Sequence, residues 1–139
     1  MQNSLSIDED NPQTLISIGK IDRLQGNLDQ AVARLSKAIK LDPSLIEAYL
    51  ELGQTYQDRR EVNNAIETYH KAIDMVGKDP RPYLQASSAY KESRDYRNAE
   101  YMLRQAAQLS PSDQSIRRQL AAIVALNLVN NLQEAPKRK

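Results

Sequence analysis

Residues 46–79 read IEAYLELGQTYQDRREVNNAIETYHKAIDMVGKD, and this stretch decides the fold of the chain. Apolar or small residues recur in both halves at three- and four-residue spacing, which is the pattern of one buried face on an α-helix. These residues are Tyr49, Leu52, Gly53 and Tyr56 in the first half and Ala65, Ile66, Tyr69 and Ala72 in the second. The polar run Asp58-Arg59-Arg60-Glu61 separates the halves. The stretch therefore predicts a hairpin of two helices.

The same spacing returns in the segment 12–45 before this stretch and in the segment 80–113 after it. Small residues mark two of the repeated positions: Gly19, Gly53 and Ser87 in the first helices, and Ala31, Ala65 and Ala99 in the second. A fixed period of this length indicates one helical hairpin stacked on copies of itself, because a single hairpin cannot bury its apolar face alone. Small side chains at the repeated positions allow the helices to cross closely.

Turn and capping residues set the predicted boundaries. Proline follows a capping residue at Pro12, and proline or glycine lies near the later boundaries, where it starts or stops helices. We expect an all-α fold, an α-solenoid of three antiparallel helix pairs plus a seventh capping helix. The predicted segments are a flexible N-terminal segment 1–11, repeats 12–45, 46–79 and 80–113, a capping helix 114–134 and a basic tail 135–139.

Composition excludes several classes of function. The 139 residues include 19 basic and 18 acidic side chains, one histidine and no cysteine. This balance lacks the basic excess of a nucleic-acid binder. Without cysteine there is no thiolate nucleophile and no Cys-based zinc site. No phosphate-binding glycine loop or Ser–His–Asp grouping can be assembled. We expect no enzyme activity, no cofactor or metal, no nucleic-acid partner, no membrane insertion and a cytoplasmic location.

The residues of the repeated pattern carry a resemblance to a known family. With Tyr49, Leu52 and Tyr56, the arrangement of Gly53, Ala65, Tyr69 and Ala72 resembles the tetratricopeptide repeat (TPR), from Pro12 to Asp113. The resemblance implies a right-handed superhelix whose concave face is lined by the first helix of each pair. It also implies an adaptor or scaffold that holds peptides or helices of other proteins. The first repeat departs from the family at Asp22, where an aromatic residue is usual, and the second at Gly77, where proline is expected.

Residues opposite the packing stripe of each first helix are the candidates for a peptide groove. They are Gln13, Ile16, Lys20 and Arg23 in the first repeat, Glu47, Leu50, Gln54, Gln57 and Asp58 in the second, and Arg81, Leu84, Ser88 and Lys91 in the third. The mixture favours a partner peptide held by polar contacts, with Ile16, Leu50 and Leu84 as an apolar floor. The alternative interpretation is the solvated side of amphipathic helices.

One branch of the family binds acidic tails of heat-shock chaperones through a clamp of Lys, Asn and Arg. At the clamp positions this chain has Ile16, Lys20, Glu51, Arg81 and Gln85. Only one of these matches the clamp in kind. The sequence therefore argues against a receptor for chaperone tails.

The seventh helix is apolar on nearly all sides, whereas a terminal cap needs a polar outer face. We expect Leu120, Ala121, Val124 and Leu128 to cover the last repeat. Ala122, Ala125, Leu126 and Val129 then become candidates for self-association. Three packing partners could bury the remaining apolar surface of this helix: the same helix of a second copy in a homodimer, a partner protein, or a further helix of a longer chain. The main hypothesis is a protein-interaction module, and the rivals are a self-assembling protein and a regulatory domain of a larger enzyme.

Overall fold

A computed structural model describes residues 10–75 and 77–134 of the chain. Within these ranges the regular structure is helical, without any strand. The helices are α1 (Pro12–Leu24), α2 (Leu28–Leu41), α3 (Ile46–Asp58), α4 (Val62–Met75), α5 (Pro80–Glu92), α6 (Tyr96–Leu109) and α7 (Gln114–Glu134). The predicted all-α repeat fold is confirmed. The predicted flexible segment, up to residue 9, and the basic tail from residue 135 lie outside the described residues.

Side-chain caps fix where the helices begin. The Asn11 Oδ1 accepts hydrogen bonds from the backbone N–H groups of Gln13 (2.9 Å) and Thr14 (3.2 Å). Asp79 caps α5 in the same way, through the N–H of Arg81 at 2.9 Å. Both helices have proline in their first turn, where the missing N–H costs no hydrogen bond.

The turn inside each hairpin uses one left-handed residue at the same repeat position. Gly26 has a φ of 84°, Arg60 of 66° and Arg94 of 64°. Only the first of these is glycine, so two arginines adopt a conformation that L-residues populate rarely. A backbone hydrogen bond of 2.8 Å closes each turn, for example from Glu61 N to Tyr56 O. The repeat therefore imposes the turn geometry even where the sequence lacks glycine.

The chain divides into two compact units, residues 1–76 and 77–139. Unit 1 contains α1 to α4, and its core depends on close crossings at glycine. A Cβ added to Gly19 would lie 2.7 Å from Leu35 Cγ. A Cβ added to Gly53 would overlap the ring of Tyr69, which is fully buried. Ala65 and other alanines at these crossings are likewise fully buried. The prediction that small residues mark helix crossings is confirmed in unit 1.

Asp22, the departure of the first repeat from the family pattern, lies buried in unit 1. Its carboxylate accepts a hydrogen bond of 2.8 Å from Arg34 Nε. The repeat places Tyr56 and Tyr90 at the position of Asp22. Thr68 and Met102 occupy the position of Arg34. In the first repeat the ion pair Asp22–Arg34 thus takes the place of a tyrosine and an uncharged residue. The buried carboxylate is neutralised by the arginine.

Unit 2 contains α5, α6 and α7. Its core is formed by Ala99, Leu103 and Ile123, with Leu120 and other partly buried residues packed against it. Half of the predicted covering face of α7 is correct, since Leu120 packs against this core and Val124 is partly buried. The other half is wrong: Leu128 is 61% exposed and Ala121 is also exposed. The buried residues of α7 are Ile116, Ile123 and Asn127. Asn127 fixes this rotation of the helix because its Nδ2 donates to Tyr96 O (2.9 Å) and Glu100 Oε1 (2.7 Å).

Candidate protein-interaction surfaces

In unit 1 the first helices α1 and α3 are tied together by one arginine. Arg23 donates from Nε to Glu51 Oε1 and from Nη1 to Asp58 Oδ2, each at 3.3 Å. Gln54 Nε2 donates to the same Asp58 carboxylate, also at 3.3 Å. Three of the predicted groove residues, Arg23, Gln54 and Asp58, are therefore brought together. Their polar groups bind each other across this face.

The other predicted groove residues of unit 1 fall into two groups. Gln13, Lys20 and Glu47 are exposed. Ile16, Leu50 and Gln57 are buried, so their assignment as groove-lining side chains is wrong. Ile16 belongs to the hydrophobic core of unit 1, because α1 packs against both α2 and α3 and buries more than one stripe. Gln57 accepts a hydrogen bond of 2.6 Å from the Tyr69 hydroxyl.

In unit 2 the predicted groove residues lie along α5. Arg81, Ser88 and Lys91 are exposed, and Leu84 is partly buried. A recess of about 240 Å³ is lined by Arg81, Leu84, Gln85 and Ser88. Arg81 also holds the helix cap, because its Nη2 lies 2.7 Å from Asp79 Oδ2. Hydrogen bonding from Arg81 lowers the pKa of the Asp79 carboxyl.

A cleft of about 320 Å³ separates α5 from α7 in unit 2. We call it the α5–α7 cleft, and it is lined by Ser87, Ser88, Lys91, Leu103, Arg118, Gln119, Ala122 and Ile123. Ser88 and Lys91 were predicted from the sequence as groove residues, whereas Arg118 and Gln119 were missed. Both follow from helical periodicity once the rotation of α7 is known. Two cations, several polar groups and an apolar floor thus meet in one cleft.

The four self-association candidates do not form one exposed patch. Ala125 and Val129 are exposed on α7, and Ala122 lines the α5–α7 cleft. Leu126 is partly buried against the core of unit 2, so only part of its side chain is open to self-association. The cause is again the rotation of α7, which turns Leu126 toward Ile123 and its neighbours.

The described residues offer no group of three or more metal-ligating side chains. None of the helices in this part of the chain is long and apolar enough to span a membrane.

A family model described as "Tetratricopeptide repeat" matches residues 46–75 and 80–113, and a second, described as "TPR repeat", matches residues 19–59. The chain belongs to the tetratricopeptide repeat family. The predicted family is confirmed, and the TPR fold is a protein-interaction scaffold rather than an enzyme fold. A comparison with curated protein sequences finds no match.

Solved structures share the TPR fold. The first TPR of Spaghetti (RPAP3) bound to the HSP90 peptide SRMEEVD has a TM-score of 0.77 and 16% identity, over 90% of this chain and 99% of that one. The first TPR domain of human RPAP3 has a TM-score of 0.80 and 16% identity, over 91% of this chain and 99% of that one. The MamA protein has a TM-score of 0.70 and 27% identity, over 81% of this chain and 61% of that one. At such low sequence identity the RPAP3 structures show the fold alone.

Proposed function

We propose that this TPR chain is an adaptor that binds an acidic segment of a partner protein in the α5–α7 cleft. The observation that carries the proposal is the charge of the cleft. Lys91 and Arg118 line it from opposite helices, and none of its described lining residues is acidic. Leu103 and Ile123 offer apolar contact at the floor. Cationic walls over an apolar floor fit a short segment that carries both carboxylates and apolar side chains.

The exposed groove candidates of α1 and α3 stay predicted peptide contacts of unit 1, considered by itself. Lys20 adds a cation to unit 1, whereas Arg23 is already paired with Glu51 and Asp58. The proposed ligand is acidic but need not be a chaperone tail. At the clamp positions Ile16 is buried and Glu51 is paired with Arg23. In the RPAP3 structure the same fold holds the peptide SRMEEVD, whose acidic side chains support this choice of ligand class.

The test is affinity capture from the native host, with quantitative mass spectrometry of the retained proteins. We expect the double variant Lys91→Glu with Arg118→Glu to lose partners that the wild type retains, because each change places a carboxylate in the cleft. Lys78→Glu with Arg94→Glu is the matched control: it makes the same double charge change in unit 2, and both residues are exposed and do not line the cleft. An identical set of partners for wild type and double variant would overturn the proposal.

Self-association is the second candidate, and the exposure of Val129 (51%) and of Ala125 on α7 favours it. In a two-fold dimer the same patch would meet itself. Light scattering of Ala125→Glu with Val129→Glu tests this, since neither change enters the core. A wild-type mass of one chain, or an unchanged dimer mass in the variant, would remove the idea. A cytoplasmic location stays a prediction.

A further inference from the structure

The opposite side of α7 from the α5–α7 cleft carries a second groove. A depression of about 400 Å³ lies between α6 and α7 and includes Arg97, Tyr101, Arg104 and Leu128. A second depression of about 410 Å³ continues it past Arg104 to Arg117. We call the two together the α6–α7 groove. From Arg117 to Leu128 it follows about three turns of helix.

Large apolar side chains are exposed along this groove. Tyr101 is 56% exposed and Leu128 is 61% exposed, and Leu132, one turn further along α7, is 78% exposed. The two leucines, one helical turn apart on α7, and Tyr101 on α6 together form an apolar stripe. The stripe is flanked by arginines, as a polar rim flanks the centre of a protein interface.

The repeat register tells which kind of element fits this stripe. Ala121 occupies on α7 the position that Gly19 and Gly53 occupy on α1 and α3. At those glycines a second helix crosses, with Leu35 or Tyr69 against the backbone. Ala121 is exposed instead. The groove is therefore the side of a first helix that, elsewhere in this chain, packs against a second helix.

The described residues after Leu128 do not turn back to cover the stripe. The first helices α1, α3 and α5 each have 13 residues and end before a left-handed turn residue, such as Arg94. Leu128 stands one repeat period after Arg94, at the position of that turn. It is helical, and α7 continues to Glu134 over 21 residues. An in-register hairpin is thus replaced by a longer helix.

The charge of the groove decides the chemistry of the partner. Arg97, Arg104 and Arg117 line it, with Glu100 as its one acidic side chain among the described lining residues. Glu100 is already bound, since Arg104 and Asn127 both donate to it. The ion pair offsets the charge of Arg104, so the net positive charge of the groove comes from Arg97 and Arg117. In a two-fold contact between copies the same arginines would face each other. An acidic partner is electrostatically favoured over a second copy.

We propose that the α6–α7 groove binds an acidic amphipathic helix of another protein. The apolar face of this partner helix carries a small residue, a large residue four positions later and a second small residue three positions after that. That spacing is the one by which this chain's own second helices pack, as in Ala31, Leu35 and Ala38. The site is separate from the α5–α7 cleft, so either can exist without the other.

The experiment uses two synthetic peptides of about 18 residues, long enough for a helix to form on binding. Both carry Ala-x3-Leu-x2-Ala on one face, and the outer positions are glutamate in one and lysine in the other. Fluorescence anisotropy with the whole chain measures their affinities. We expect the acidic peptide to bind at least about tenfold more tightly, and added salt to weaken it.

Paired variants of neighbouring residues locate the binding. We expect Leu128→Glu and Arg117→Glu each to weaken the acidic peptide by about tenfold or more. Val129→Glu is the matched control on another face of α7 and should leave its affinity unchanged. Because Leu128 is exposed, Leu128→Glu should keep the wild-type melting temperature, which circular dichroism checks.

Three results would overturn the proposal. The first is no binding of the acidic peptide, or equal binding of both peptides. The second is an equal loss of affinity in Leu128→Glu and Val129→Glu, which would show that the groove is not the site. The third is a dimer in light scattering that Leu128→Glu dissociates, which would assign the stripe to a second copy.

Discussion

Units 1 and 2 are built from the same repeated pattern, yet their first helices meet differently. In unit 1, Arg23 ties α1 to Glu51 and Asp58 of α3. In unit 2, a cleft with Lys91 and Arg118 on its walls separates α5 from α7. The repeated positions determine how helices cross, and the residues between them determine whether the surface binds itself or another molecule.

The two units also differ at one packing position, where glycine stands in unit 1 (Gly53) and serine in unit 2 (Ser87). We expect Gly53→Ala to lower the free energy of unfolding by about 3 kcal/mol through overpacking. The added Cβ would overlap Tyr69, which cannot move easily because it is fully buried and its hydroxyl donates to Gln57. Urea denaturation measures the change.

Ser87→Ala is the control at the equivalent position of unit 2. The Ser87 hydroxyl donates a hydrogen bond of 2.8 Å to Leu84 O within the same helix. Losing this hydrogen bond should lower the free energy of unfolding by less than about 1 kcal/mol. Equal effects of Gly53→Ala and Ser87→Ala would mean that the helices of unit 1 do not cross as closely as described.

A second difference is the buried pair Asp22–Arg34, where unit 2 has Tyr90 and Met102. We expect Asp22→Ala to cost about 1–2 kcal/mol, because it leaves Arg34 without its carboxylate in a half-buried site. The double variant Asp22→Tyr with Arg34→Met copies unit 2 and should recover at least the wild-type stability. Thermal unfolding that ranks the double variant below Asp22→Ala would contradict this account.

The smallest expected effect concerns acid stability in unit 2. Hydrogen bonds from Arg104 and then Asn127 lower the pKa of the Glu100 carboxyl in the folded chain. The unfolded chain has the ordinary glutamate pKa of about 4.3, so this stabilisation is present above that pH. It is lost as the pH falls through the lower folded pKa. Glu100→Gln should flatten the fall in stability below about pH 5, by less than about 1 kcal/mol.

Arg104→Met provides the check, because it removes the main donor while keeping Glu100. Its stability should also depend less on pH than that of the wild type, as urea midpoints at several pH values would measure. If the stability of both variants depended on pH as that of the wild type does, protonation of Glu100 would not be the cause of the loss of stability in acid.

The sequence predicted the helices, the family and the close crossings because these follow from local pattern and side-chain size. It missed Arg60 and Arg94 as left-handed turn residues, since nothing in an arginine indicates that conformation. Ile16, Leu50 and Gln57 were placed on the wrong surface because a helix with neighbours on two sides buries more than one stripe. The rotation of α7 could not be predicted from its evenly distributed apolar residues.

By itself, therefore, the sequence determined that helical hairpins recur along the chain, because the regular spacing aligns small and large side chains on each helix. Only the tertiary structure decided which side of α7 is buried. The hydrogen bonds of Asn127 to Tyr96 and Glu100 set that rotation, and side chains so far apart along the chain meet only after folding. The exposed stripe at Leu128 and the cleft beside Arg118 are both consequences of it.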